Sequence, residues 1–222
     1  MKPLELLDEI RTPEGTALTL LRRGNEYLIN ADGKSLMASR MHGSEEELAT
    51  LGCVRAKEME EPFVLVGGLG MGFTLRATLD VLPEGATVVV AELIPAVVKW
   101  NEMYLGSLNG HPLRDPRVKV EVGDVAAIMQ AGVSRFDAIL LDVDNGPRAF
   151  TQQSNSSIYD NDGLAIIRAA LKPKGIVAVW SAWDQKKFEH RLRHFGFDAE
   201  TVMVRARLKA GGPKHTIFLG RT

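Results

Sequence analysis

Val64-Leu65-Val66-Gly67-Gly68-Leu69-Gly70-Met71-Gly72-Phe73 reads as a strand, a glycine turn and the start of a helix. Glycines in such a turn let the backbone take positive φ and let a ligand approach the main chain closely. Two familiar glycine patterns fail. The dinucleotide fingerprint, counted from Gly68, would need a glycine at position 73, where Phe73 stands. A Walker loop would need Gly-Lys followed by Ser or Thr, and none follows. What remains is Gly68-x-Gly70-x-Gly72, a turn that either holds a nucleoside-bearing ligand or only lets helix and strand pack.

Outward from this turn the chain alternates. Short apolar strands are expected at Phe63–Val66, Thr87–Ala91, Val118–Val122, Phe136–Leu141 and Ile176–Trp180. Between them lie stretches of helical spacing, such as Leu75, Leu79 and Leu82, or Leu164, Ile167 and Leu171. Strands apolar almost throughout are covered on both faces, which calls for a parallel sheet with helices on each side. The rhythm changes at the end, where a strand near 201–208 leads through Lys209–Lys214 into a last strand, Thr216–Leu219. That link is too short for a parallel crossover, so the pair must be an antiparallel hairpin.

The expected fold is therefore α/β: a Rossmann-like seven-stranded sheet, mostly parallel, closed by an antiparallel C-terminal hairpin. It resembles the fold of S-adenosylmethionine-dependent transferases, in which the last strand inserts beside the fifth. Ahead of it, residues 1–55 read as a small β-rich region with a linking helix, and residues 56–222 as the Rossmann-like domain. Thr16–Leu21 and Glu26–Asn30 suggest a hairpin, with a further short strand near Ser35–Ser39. Ser44-Glu45-Glu46-Glu47 has the form of a capping box, so the linking helix is expected from Ser44 to Gly52.

Acidic residues recur at consecutive strand ends. Glu92 closes the second strand, roughly 20 residues past the glycine loop, where a carboxylate can accept hydrogen bonds from ribose hydroxyls. Asp124 follows the third strand and can meet the exocyclic amine of adenine; it can also simply cap the helix that begins at Val125. The fourth strand ends in Leu141-Asp142-Val143-Asp144-Asn145-Gly146-Pro147. A carboxylate there can take a proton from an amine or bind an ammonium group; alternatively these residues build a turn. No third ligand supports a metal site.

These residues together are similar to the spermidine synthase (aminopropyltransferase) family: the loop Gly67–Arg76, Glu92, Gly123-Asp124, the Asp142 to Pro147 turn and the Leu171-Lys-Pro-x-Gly175 stop. The resemblance covers about residues 60–182. It implies that Gly68, Gly70, Gly72, Glu92 and Asp124 hold S-adenosylmethionine or its decarboxylated form. It also implies that Asp142 is the acid that deprotonates an attacking amine. The departures fall on the polyamine half. Met71 stands where the family has Asp, Ala77 where it has Glu, and Ser44-Glu45-Glu46 where it has Tyr-His-Glu. Three readings stay open: aminopropyl transfer to a small-molecule amine, methyl transfer from intact S-adenosylmethionine, and a non-catalytic nucleoside-binding module.

Composition narrows the rest. A 45% hydrophobic content supplies a real core for 222 residues. The 27 Lys+Arg against 28 Asp+Glu argue against a nucleic-acid footprint, although Arg205, Arg207, Lys209, Lys214 and His215 cluster near the last hairpin. No apolar run approaches the ~20 residues of a membrane-spanning helix, and the acidic N-terminus lacks a signal peptide. With a lone Cys53, these features make the cytoplasm the expected location. Cys53 reads as packing, His42 and His215 as solvated, and Trp180 as core and pocket wall. A homodimer is the expected assembly, because the leading hairpin has too little bulk to cover its own apolar face.

Overall fold

The structure, a computed structural model, describes residues 2–13, 15–143, 158–182, 186–207 and 212–222. The leading region is an antiparallel sheet of β1 (Glu5–Arg11), β2 (Ala17–Arg23), β3 (Glu26–Ala31) and β4 (Lys34–Ala38), paired in that order. Strand β1 lies outside the sequence expectation. Its register against β2 shifts between Leu6 and Asp8, so the alternation that marks a strand is broken at that point.

The apolar face of this sheet is not left open. Leu18 and Leu20 of β2 and Ile29 of β3 are buried in one cluster with Val64, Val66, Leu69 and Leu75. Each such burial contributes about 1.5–3 kcal/mol. The chain thus covers by itself the face for which a second copy was invoked, and that ground for a homodimer is gone. Trp100 ties the two parts together further, its Nε1 donating to Asp8 at 2.6 Å.

Helix α1 (Gly43–Gly52) begins one residue earlier than expected, with His42 at its N-cap and no side-chain cap. The capping box does not form, because the Ser44 hydroxyl is engaged elsewhere. The helix lies against the central sheet: a Cβ on Gly52 would come within 2.1 Å of Leu140 Cδ2 and 2.9 Å of the Ala178 Cβ. Only a residue without a side chain allows that approach. Cys53 follows, fully buried, its thiol pushed up to about 12 by desolvation.

The central sheet has seven strands: β5 (Phe63–Gly67), β6 (Thr87–Glu92), β7 (Val118–Val122), β8 (Phe136–Leu141), β9 (Leu171–Ser181), β10 (Asp198–Arg205) and β11 (Lys214–Arg221). Their order is β10-β11-β9-β8-β5-β6-β7. Strands β9, β8, β5, β6 and β7 pair in parallel, while β11 is antiparallel to both β9 and β10. The last strand therefore inserts beside the fifth of this sheet, as expected; the hairpin strands run 198–205 and 214–221 rather than 201–208 and 216–219. Alternate residues serve opposite faces: Val64 and Val66 enter the cluster shared with the leading sheet, whereas Leu65 joins the other. Helix α2 (Phe73–Val81) lines the first face, with α3 (Pro95–Trp100) continuing into a wider turn at Asn101–Leu105. Helices α4 (Val125–Gln130), α5 (Asn161–Ala170) and α6 (Lys186–His194) cover the second.

Candidate active site

Four parallel strands deliver their carboxyl ends to one place. Backbone bonds lock the ends together: Gly68 N–H donates to Ala91, Gly123 N–H to Glu92, and Asp142 N–H to Gly67, all at 2.8–2.9 Å. Because β5 connects onward to β6 on one side and neighbours β8 on the other, the chain diverges there and leaves a crevice, the usual ligand position in such sheets. A cavity of about 260 Å³ occupies it. Gly68, Gly70, Glu92, Asp124 and Asp142 line its floor, and Leu18, Ile29, Leu36 and Met37 of the leading sheet form the opposite wall. Gly72 lies just outside, at the N-cap of α2.

The glycine loop is shaped by positive φ at Gly68, Gly70 and Gly72 (91°, 50° and 82°). Side-chain amides fix its carbonyls: Asn101 Nδ2 donates to Gly70 and Asn109 Nδ2 to Met71, both at 2.8 Å. Glu92 is 7% exposed, and its two carboxylate oxygens accept from Leu69 N–H and Ile94 N–H, each at 2.9 Å. Its acid thus holds the loop as well as facing the cavity. Asp124 is exposed and caps α4, accepting from Ala126 N–H at 2.8 Å.

The other end of the cavity is a cluster of acids. Asp142 Oδ2 accepts from the Thr74 hydroxyl at 2.6 Å. Desolvation raises the Asp142 carboxyl to about 6 although that bond works in the opposite direction. Glu45, projecting from the first turn of α1 into the same cavity, is pushed up to about 8 by desolvation and then by the nearby charge of Asp142. The Ser44 hydroxyl donates to Glu45 Oε2 at 2.6 Å and lies 2.8 Å from His215 Nδ1. His215 is half-buried, its ring 4.7 Å from that of Trp180, and burial lowers its pKa. A largely apolar cavity with two carboxyls of raised pKa at one end can bind an amine, and the Asp142 carboxylate, once ionised, can take a proton from it.

A model of the spermine/spermidine synthase domain matches residues 41–194. The chain belongs to that family. Among its relatives, the polyamine aminopropyltransferase of Thermoanaerobacter sp. (strain X514) is 31% identical over 110 residues, 46% of this chain and 39% of that protein. The one from Nitrosomonas europaea is 32% identical over 117 residues, 52% of this chain and 34% of that protein. The matched stretch thus spans well under half the length of these relatives. Spermidine synthase from Thermotoga maritima superposes with a TM-score of 0.76 at 15% identity, covering 97% of this chain and 72% of that one. A spermidine synthase complexed with the transition state analogue AdoDATO gives 0.75 at the same identity and coverage. At this identity the likeness is one of fold.

Within the family frame, several expectations need correction. Met71, aligned with the family's Asp, is 2% exposed and packed in the core, and the cavity is lined without it. His42 and His215 are not simply solvated: His42 stacks on Phe73 at 4.2 Å and contacts Glu46 at 2.6 Å, and His215 lines the cavity. Glu45 is hidden in the sequence, because Ser44-Glu45-Glu46-Glu47 reads as helix punctuation. The signal available was its place opposite the family's Tyr-His-Glu. Trp180 is indeed pocket wall. Asp144 to Pro147, Trp183 and Lys209 lie outside the described residues. Among the described residues no group of three or more His, Cys, Asp or Glu is placed to hold a metal ion, and no helix is long and apolar enough to cross a membrane.

Proposed function

We propose that the protein is an aminopropyltransferase that takes decarboxylated S-adenosylmethionine as donor and a small amine as acceptor, working in the cytoplasm. The observation that carries this reading is the pairing of Glu45 with Asp142 at one end of a cavity whose other acids, Glu92 and Asp124, stand at strand ends suited to ribose and adenine. In the reaction an ammonium loses one proton, the freed amine nitrogen attacks the carbon next to the sulfonium, and the carbon–sulfur bond breaks to leave a neutral thioether. The positive sulfur supplies the activation, so the protein has to orient both partners and accept one proton. Asp142 is the general base in this proposal.

The choice of donor rests on charge. Glu45, Glu92, Asp124 and Asp142 line the cavity, and among the described lining residues there is no Arg or Lys. The free ammonium of the decarboxylated donor suits this environment; the carboxylate of intact S-adenosylmethionine is repelled by it. Calorimetric titration with decarboxylated S-adenosylmethionine, S-adenosylmethionine and methylthioadenosine tests the reading. The decarboxylated form is expected to bind tightest, and a preference for the intact form would turn the assignment to methyl transfer. A homodimer is part of the proposal, through the open edge of β1, where Leu6 is 54% exposed. A monomeric mass in light scattering at micromolar concentration would remove it.

A further inference from the structure

The reaction leaves one proton behind in a cavity walled on one side by Leu18, Ile29 and Met37, and a hydrogen-bonded route leads out of it. The Ser44 hydroxyl sits between Glu45 Oε2 (2.6 Å) and His215 Nδ1 (2.8 Å). These three residues come from α1 and from strand β11 of the seven-stranded sheet, far apart in sequence, and Ser44 is fully buried. A buried hydroxyl bonded on one side to a carboxyl and on the other to an imidazole has both an acceptor lone pair and a proton to pass. We propose that Glu45, Ser44 and His215 form a proton relay that carries the acceptor's proton from the acid pair to the imidazole. This rests on the aminopropyl-transfer reading for its purpose, though not for its chemistry.

The step balances without any co-reactant. The Ser44 hydroxyl, which donates to the ionised Glu45, turns towards His215 Nδ1 when Glu45 carries its proton; Glu45 then donates to the Ser44 oxygen while the Ser44 hydrogen moves to His215 Nδ1. Carboxylate, hydroxyl and imidazolium result, and the partly exposed imidazolium then gives up its Nε2 proton to solvent water. The groups that bear on Glu45 are Asp142 from the end of β8 and Glu46 on its own helix, with His42 bonded to Glu46. Glu92 and Asp124 line the same cavity. Opposite His215, the register pairs Val204, with Arg205 and Lys214 next to that pair and exposed. Burial that keeps the Glu45 carboxyl protonated near neutrality, and lowers the imidazole pKa, makes Glu45 the holder of the proton and His215 its fast-releasing exit.

The test uses the full chain without ligand, followed through the His215 imidazole and Glu45 carboxyl resonances as pH is raised. In the native protein the His215 signal is expected to show a second inflection that coincides with ionisation of Glu45. Ser44→Ala should abolish that inflection while Glu45 still titrates. His215→Asn keeps a hydrogen-bond partner for Ser44 but cannot take a proton. With decarboxylated S-adenosylmethionine and 1,4-diaminobutane it should lower kcat about tenfold or more, with donor affinity unchanged. A single independent His215 titration overturns the relay, and so does a kcat that His215→Asn leaves intact. If the native protein shows no turnover at all, the aminopropyl reading falls, and the resonance titration still decides whether the proton link exists.

Discussion

A Cβ placed on Gly68 would stand 2.3 Å from the carbonyl oxygen of Asp142. The glycine loop and the strand end that carries the proposed base therefore meet backbone to backbone, and the loop cannot change without moving Asp142. Gly68→Ala adds this clash to the cost of a side chain at φ 91°, itself about 1–3 kcal/mol. Urea denaturation should show a loss at least that large. Gly123→Ala is the control: it lines the same cavity and its Cβ would meet nothing within 4 Å, so its stability should stay near that of the native chain.

Glu92→Ala should lower both stability and affinity for methylthioadenosine. Its two backbone bonds, to Leu69 and Ile94, would be lost, and a buried donor left unpaired costs about 1–3 kcal/mol. Because the same carboxylate faces the cavity and holds the loop, the two losses are expected together. Glu92→Gln, which retains one carbonyl acceptor, should recover part of the stability. A mutant as stable as the native protein in thermal unfolding would contradict the loop-holding role.

The unliganded protein should lose stability as pH rises between about 4.5 and about 8. Glu45 binds its proton more tightly folded than unfolded, with its pKa raised from 4.5 to about 8, and Asp142 is raised in the same direction. The native state then holds more protons than the unfolded state, so stability is full at low pH and falls as these groups ionise. Glu45→Gln should flatten that slope, as read by denaturation midpoints across the range. A slope unaltered by the substitution would mean that Glu45 is not held protonated.

Asp142→Asn keeps the shape of the strand end and removes the proton acceptor. Turnover should fall ~10²–10⁴-fold, well beyond any loss of donor affinity from the missing charge. Thr74→Val gives a subtler readout. It removes the hydrogen bond that opposes the rise in the Asp142 pKa, so the acid limb of the pH–rate profile should move to higher pH. Equal rates in Asp142→Asn and the native enzyme would dismiss Asp142 as the base.

Met71→Asp, which the alignment suggests as a way to restore the family's acid, should instead destabilise the fold. The side chain sits in the core beside Leu69 and Leu75, and an unpaired charge there is expensive. Loss of soluble, folded protein is expected, rather than a change of donor preference.

The central architecture was legible because each part rests on local chemistry. Apolar strands require a two-sided parallel sheet, and the short link Lys209–Lys214 forces an antiparallel end. Glu92, Asp124 and Asp142 were visible because strand ends are short and carboxylates there stand out. What stayed hidden depended on contacts across the chain. Glu45 and Ser44 looked like a capping box because four residues cannot reveal that the hydroxyl turns to an imidazole 171 positions away. Strand β1 was obscured by its register shift. Met71 aligns with the family's Asp yet points into the core, because alignment gives position and not direction.

The insertion of β11 between β9 and β10 also sets when the site can exist. β10 is made before β11 but has no neighbour in the sheet except β11, and His215 and the Trp180 contact arrive only with it. Contacts of such long sequence separation form late and slowly. A ribosome that has delivered α1 and β5 to β9 has made Glu45 and Asp142 but not the imidazole beside Ser44. The proposed relay can therefore assemble only once the chain has been synthesised through β11 and the sheet has closed.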